Sequence, residues 1–123
     1  MADGALKPVE WLGSSKEDLR GFPGPVQDRI GFAVYQAQIG SKHRDAKPLT
    51  GLGSGVIEVA ARHDGDTYRA IYTVQFQAAV YVLHAFKKKA KRGIKTPKPE
   101  IDLIRHRLKV AKRHYRDVYE RGG

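Results

Sequence analysis

Between Val56 and Phe86 the sequence reads as three successive β-strands, and no other feature limits the fold as much. Val56 to Arg62 and Thr67 to Val74 flank His63-Asp64-Gly65-Asp66, whose Asp-Gly pair is a strong hairpin signal. Thr67 to Val74 alternates, with Tyr68, Ala70, Tyr72 and Val74 on one face and Arg69, Ile71 and Thr73 on the other. Ala79 to Phe86 is nearly continuous in apolar residues, as expected of a central strand.

Helices bracket this run. A short strand at Val9 to Leu12 is followed by a short helix over Lys16 to Arg20, which Ser14 or Ser15 can cap. After the break Gly21-Phe22-Pro23-Gly24-Pro25, the apolar positions Val26, Ile30, Ala33, Val34 and Ala37 recur at helical spacing, predicting a second helix that ends before Gly40. Residues 41 to 55 read as loop. A last helix opens after Thr96-Pro97, with Thr96 as its cap and an apolar stripe from Ile101 to Val118. The order β-α-α-β-β-β-α predicts an α+β fold: a twisted, mainly antiparallel sheet with helices packed on one face. The other face would be a shallow groove beside the basic loop and the last helix. The 123 residues are expected to form a single domain over 1–123, ordered from about 8 to 118.

Charge enters where function is asked for. From His84 to Arg116 thirteen Lys or Arg face two carboxylates, Glu100 and Asp102, a local formal charge of +11 in a chain of +10. Such self-repulsion is best tolerated when the partner is a polyanion. The absence of cysteine excludes disulfides and thiolate metal sites. The five histidines have no metal-ligand spacing, so neither metal nor cofactor is expected. No apolar run approaches the roughly 20 residues of a membrane span, and the first residues do not resemble a secretion signal, so a cytoplasmic location is expected.

Arg69 is an unusual mid-strand cation that could grip a phosphate with two parallel hydrogen bonds, or could simply pair with Glu58 across the hairpin. Lys87 and Lys88 end the third strand, and His84 lies near them as a possible general acid or base. These four, Arg69, Lys87, Lys88 and His84, are the candidate catalytic residues. Lys89, Lys91, Arg92 and Lys95 in the loop, with Arg105 and Lys112 on the last helix, form the expected nucleic-acid-binding set. Tyr115 and Tyr119 could stack on a base. Gly51-Leu52-Gly53-Ser54-Gly55 lacks the Lys-Ser/Thr ending of a P-loop and precedes a strand, so it reads as a flexible lead-in.

With these residues in place, the chain resembles the RelE/ParE toxin superfamily, and within it the HigB-like, phage-derived branch. The resemblance rests on Leu19-Arg20-Gly21-Phe22-Pro23, Pro48-Leu49, Val56-Ile57-Glu58-Val59 and Tyr68-Arg69-Ala70-Ile71-Tyr72. Its most specific part is Val82-Leu83-His84-Ala85-Phe86-Lys87-Lys88-Lys89 leading to Lys95-Thr96-Pro97, then Glu100-Ile101 and Arg107-Leu108. It implies the toxin of a type II toxin–antitoxin system, a ribosome-dependent, metal-independent endoribonuclease that cleaves mRNA through 2′-OH attack. It also implies a cognate antitoxin, expected to be a helix-turn-helix protein. By position it assigns Arg69, Lys87 and Lys88 to the site, with His84 beside them, and it makes the nucleic-acid-binding set RNA-binding. Two other functions share these features: topoisomerase inhibition of the ParE kind, and non-catalytic binding to RNA or the ribosome.

Overall fold

The computed structural model describes residues 6–88 and 95–121. In chain order its elements are β1 (Val9–Trp11), α1 (Ser15–Arg20), α2 (Gly24–Gln38), β2 (Ala46–Pro48), β3 (Val56–His63), β4 (Asp66–Thr73), β5 (Val80–Lys88) and α3 (Lys98–Tyr115), which runs into a π-helical turn over Arg116–Glu120. The strands form one mixed sheet in the order β1-β5-β4-β3-β2. β1 is parallel to β5, and every other pair is antiparallel. The Asp64-Gly65 turn has the positive φ at both central positions, 50° and 82°, that matches the twist of an antiparallel hairpin.

The α+β class and the central place of the third long strand are as expected, but the helices do not share one face. Tyr68, Ala70, Tyr72, Val80, Val82 and Ala85 pack with Leu19 of α1 and with Val26, Ile30, Ala33, Val34 and Ala37 of α2. Ile71, Tyr81, Leu83 and Phe86 pack instead with Ile104, Leu108 and Ala111 of α3. The reason is legible in β5 itself. A strand apolar on both faces needs a cover on each, and each fully buried Leu or Ile contributes roughly 1.5–3 kcal/mol only if it has one.

Two smaller expectations also change. The stretch read as loop contains β2, whose three residues pair with Ile57 to Val59 and are too few to show an alternation. Neither the last helix nor the first is capped by a side chain: Pro97 occupies the cap position of α3, and Ser14, at the cap of α1, gives its hydroxyl to Asp18 Oδ2 at 2.8 Å. Thr96, freed from capping, turns toward the sheet.

One irregularity sets the geometry of the site. Ile71 pairs with His84 but Tyr72 pairs with Val82, so Leu83 is an extra residue in β5. This bulge puts Leu83 and His84 on the same side of the strand. Beyond it the alternation runs in the new phase: Phe86 and Lys88 join His84 on the α3 face, while Ala85 and Lys87 point to the α2 face.

Candidate nucleic-acid interface

Arg69 lies in β4 directly across from Phe86 of β5 and Ala60 of β3, on the α3 face. That face is left open over β3 and β2 because α3 packs mainly against β5. Arg69 Nη1 donates to Glu58 Oε2 at 2.7 Å, and Thr96 Oγ1 donates to the same oxygen at 3.0 Å. The guanidinium is buried, at 9% exposure, and its Nε has no hydrogen-bond partner among the described residues. A buried N–H without an acceptor costs about 1–3 kcal/mol, so Arg69 is one acceptor short.

Lys88, two strand positions beyond Phe86 on the same face, is also buried, and its Nζ donates to the Lys95 carbonyl at 2.8 Å. Burial and then the Arg69 charge lower its pKa from the usual lysine value, with Glu58 opposing. A carboxylate, a fork of N–H donors and a partly desolvated ammonium thus converge. Such a group can accept a proton, bind two oxygens of a phosphate and return a proton.

The other sequence-predicted residues are distributed differently. Lys87 points to the α2 face, where it meets Asp66 at 3.1 Å and lies 5.9 Å over the Tyr68 ring. The hydrogen bond to Asp66 and that carboxylate's charge raise its pKa, which leaves it a poor base. His84 is buried, stacks on Phe86 at 4.9 Å and bonds through Nε2 to Glu100 Oε1 at 2.5 Å. Arg107 Nη1 approaches the other imidazole nitrogen at 3.4 Å and donates to the Leu83 carbonyl at 3.0 Å. A guanidinium only donates, so this contact fits the tautomer in which Nδ1 accepts and Nε2–H faces Glu100. Arg107 also reaches Ser14 Oγ at 3.3 Å, passing Gly13 so closely that a Cβ there would lie 2.7 Å from the guanidinium carbon.

Two clefts result. One, of about 460 Å³, is lined by Arg29, Arg44, Asp45, Lys47, Glu58, Ala60, Arg62 and Arg69. The other, of about 550 Å³ at the outer edge of β5, contains His84, Lys87 and Phe86 with the carboxylates Glu17, Asp18 and Glu100. Arg69 with Lys88, and His84 with Lys87, therefore belong to different surroundings. Lys95, Arg105 and Lys112 are exposed, the last two on α3, while Lys89, Lys91 and Arg92 lie outside the described residues. Tyr115 stacks on Phe76 at 4.6 Å, and Tyr119 donates to Glu10 Oε2, so both are committed to internal packing.

Sequence reasoning gave Glu58 only the part of an ion-pair partner, took Thr96 for a cap and gave Arg107 no role in the site. The period of two along β3 places Glu58, Ala60 and Arg62 on the face of Arg69 and was the available signal for Glu58. Nothing local marked Arg107, whose contacts span β5 and the turn before α1.

A sequence profile for the family described as Phage derived protein Gp49-like (DUF891) matches residues 17–109. The chain belongs to that family. The match spans Glu58, Arg69, His84, Lys88, Thr96, Glu100 and Arg107, so both clefts lie within the Gp49-like region. Among curated proteins none matches the chain. Among solved structures, a mutant of the E. coli toxin RelE in the free state superposes with a TM-score of 0.51 at 13% identity, covering 66% of this chain and 82% of that one. The fold of this Gp49-like protein is therefore that of RelE. The toxin–antitoxin complex RelBE2 from Mycobacterium tuberculosis also matches, at 25% identity and a TM-score of 0.39, covering 70% of this chain and 95% of that one. Among the described residues, no helix is long and apolar enough to cross a membrane.

Proposed function

We propose that the protein is the toxin of a toxin–antitoxin pair and acts as an endoribonuclease on mRNA held by the ribosome. The observation that carries this reading is the Arg69–Glu58–Thr96 cluster at an open basic cleft, with the buried Lys88 close enough to feel the charges of Arg69 and Glu58. The RelE fold, in a structure described as that of a toxin, supports the toxin part of this reading.

In the reaction, the substrate's 2′-OH attacks the adjacent phosphorus while its proton passes to Glu58. Among the described residues the hydrogen bonds to this carboxylate fall on Oε2, and the mechanism gives Oε1 to the hydroxyl. The P–O5′ bond breaks as the P–O2′ bond forms, giving a 2′,3′-cyclic phosphate and a 5′-OH end. Arg69, which lines the cleft, supplies guanidinium N–H donors to the charge that builds on the phosphorane oxygens, a donor type worth about 10²–10³-fold in rate. Lys88, whose lowered pKa makes it a better acid than an exposed lysine, protonates the leaving oxygen. Proton transfer is thereby assigned to Glu58 and Lys88, with His84 as a positioning group behind Phe86. The ribosome orients the message, and a co-expressed antitoxin, the second partner of this reading, restrains the toxin; an acidic partner suits a chain of +10.

The test is controlled expression in a bacterium, with growth followed beside primer-extension mapping of mRNA, for wild type, Arg69→Ala and Lys88→Met. Growth arrest with new mRNA 5′ ends that vanish in both variants is the expected result. New ends that persist in Arg69→Ala would sink the mechanism. Arrest with a DNA-damage response and no new ends would replace it with topoisomerase inhibition.

A further inference from the structure

β2 pairs with β3 only over Ile57 to Val59, so beyond Ala46 the edge of β3 at Ala60 to His63 is uncovered. The cleft of about 460 Å³ occupies that gap. Its floor is Ala60, a small side chain directly across from Arg69. Its walls carry four exposed cations, Arg29, Arg44, Lys47 and Arg62, on α2, the turn before β2, β2 and β3. The two carboxylates it contains do not cancel them. Glu58 is bonded to Arg69 and Thr96, and Asp45 sits 3.9 Å from Arg29 alone among the four. Arg69 also lines the cleft; it is buried, and its Nε has no acceptor among the described residues. A row of exposed cations leading to a strand-borne guanidinium, over a floor with no bulk, has the chemistry of a phosphodiester channel.

We propose that this cleft binds the backbone of single-stranded RNA, leading it from Arg69 across Ala60 to Lys47, Arg62 and Arg44 at the β2 edge of the sheet, and that α3 is not the track. The inference rests on the nuclease reading for the role of Arg69 but assigns residues that reading does not use. It moves the substrate path away from Arg105 and Lys112, which are exposed on α3 and line neither of the two clefts described.

The test compares two variants of equal charge loss per site: Arg44→Ala/Lys47→Ala/Arg62→Ala in the channel, and Arg105→Ala/Lys109→Ala/Lys112→Ala on α3. The probe is a fluorescein-labelled 2′-O-methyl oligouridylate, which no 2′-OH mechanism can cleave, followed by anisotropy over a salt series. All six side chains are exposed, and a wild-type urea midpoint verifies that each variant is folded. The channel variant is expected to bind about tenfold or more weakly, with the slope of log affinity against log salt reduced by about 2, since each single-strand phosphate contact accounts for roughly 0.7. The α3 variant is expected to stay within about twofold. Equal losses in the two variants, a loss confined to α3, or no loss in either would each overturn the proposal. Cleavage in cells with normal oligonucleotide binding by the channel variant would remove the channel and leave the nuclease standing. Channel-dependent binding without cleavage in cells would do the reverse.

Discussion

Removing the Glu58 carboxylate exposes how the site is held together. In wild type the Arg69–Glu58 pair is 2.7 Å long, with side-chain exposures of 10% and 15%. Two charges with centres about 4 Å apart attract by roughly 4 kcal/mol at an effective dielectric of about 20. Deleting one member of a buried pair costs about 3–5 kcal/mol, because the survivor stays desolvated. Thr96 loses an acceptor as well, worth about 1 kcal/mol. Water entering the cleft recovers part of this, so Glu58→Ala is expected to lower stability by about 2–4 kcal/mol, a fall in Tm of the order of 10 °C for a domain this size. Replacing both partners by apolar side chains, Glu58→Leu with Arg69→Met, removes the desolvated charges together and should return stability to within about 1 kcal/mol of wild type. Urea unfolding followed by circular dichroism and by the fluorescence of Trp11, the single tryptophan, measures each variant and closes the double-mutant cycle. A Glu58→Ala cost below about 1 kcal/mol, or a double variant no more stable than its worse parent, would refute the reasoning. Messenger cleavage should be lost in both Glu58→Ala and the double variant, which separates what the pair does for the fold from what it does for chemistry.

Lys88→Met should stabilise the protein at pH 7 while abolishing cleavage. The sign follows from its lowered pKa: the charged form is disfavoured in the folded state, so the penalty is complete below the folded pKa and vanishes as pH rises toward 10.5, where denaturant midpoints of the two proteins should converge. Gly13→Ala forces a side chain onto a φ of 53° and into the Arg107 guanidinium, and should cost about 1–3 kcal/mol and broaden the His84 ring signals in an NMR spectrum. Tyr119 bonds Glu10, which, with burial, pushes its pKa up to about 12 from 10.0. Its contribution is therefore full below pH 10 and lost as pH rises through about 12; Tyr119→Phe should flatten that part of a pH–stability curve, and an unchanged curve would exclude this latch.

The sequence by itself determined the elements and their class, because periodicity is a local property. The Asp64-Gly65 turn, the alternation of β4, the helical spacing from Val26 to Ala37 and the apolar stripe of α3 each need only a few neighbouring residues to be read. It also determined that the chain is strongly basic and that Arg69 is an unusual mid-strand cation, for which pairing with Glu58 was one of two readings; the structure shows that pair. Tertiary structure decided the rest. Whether the helices share a face depends on what covers β5, and its two apolar faces required two covers. A single extra residue, Leu83, reversed the facing of everything after it, joining Lys88 to Arg69 and sending Lys87 to the opposite side. Lys87 and Lys88 are neighbours in sequence and occupy different sites because a strand alternates its side chains and a bulge sets the phase. The partners of Arg69, Glu58 eleven residues before it and Thr96 twenty-seven after, meet only through strand pairing and the turn into α3, and no local pattern records such a meeting.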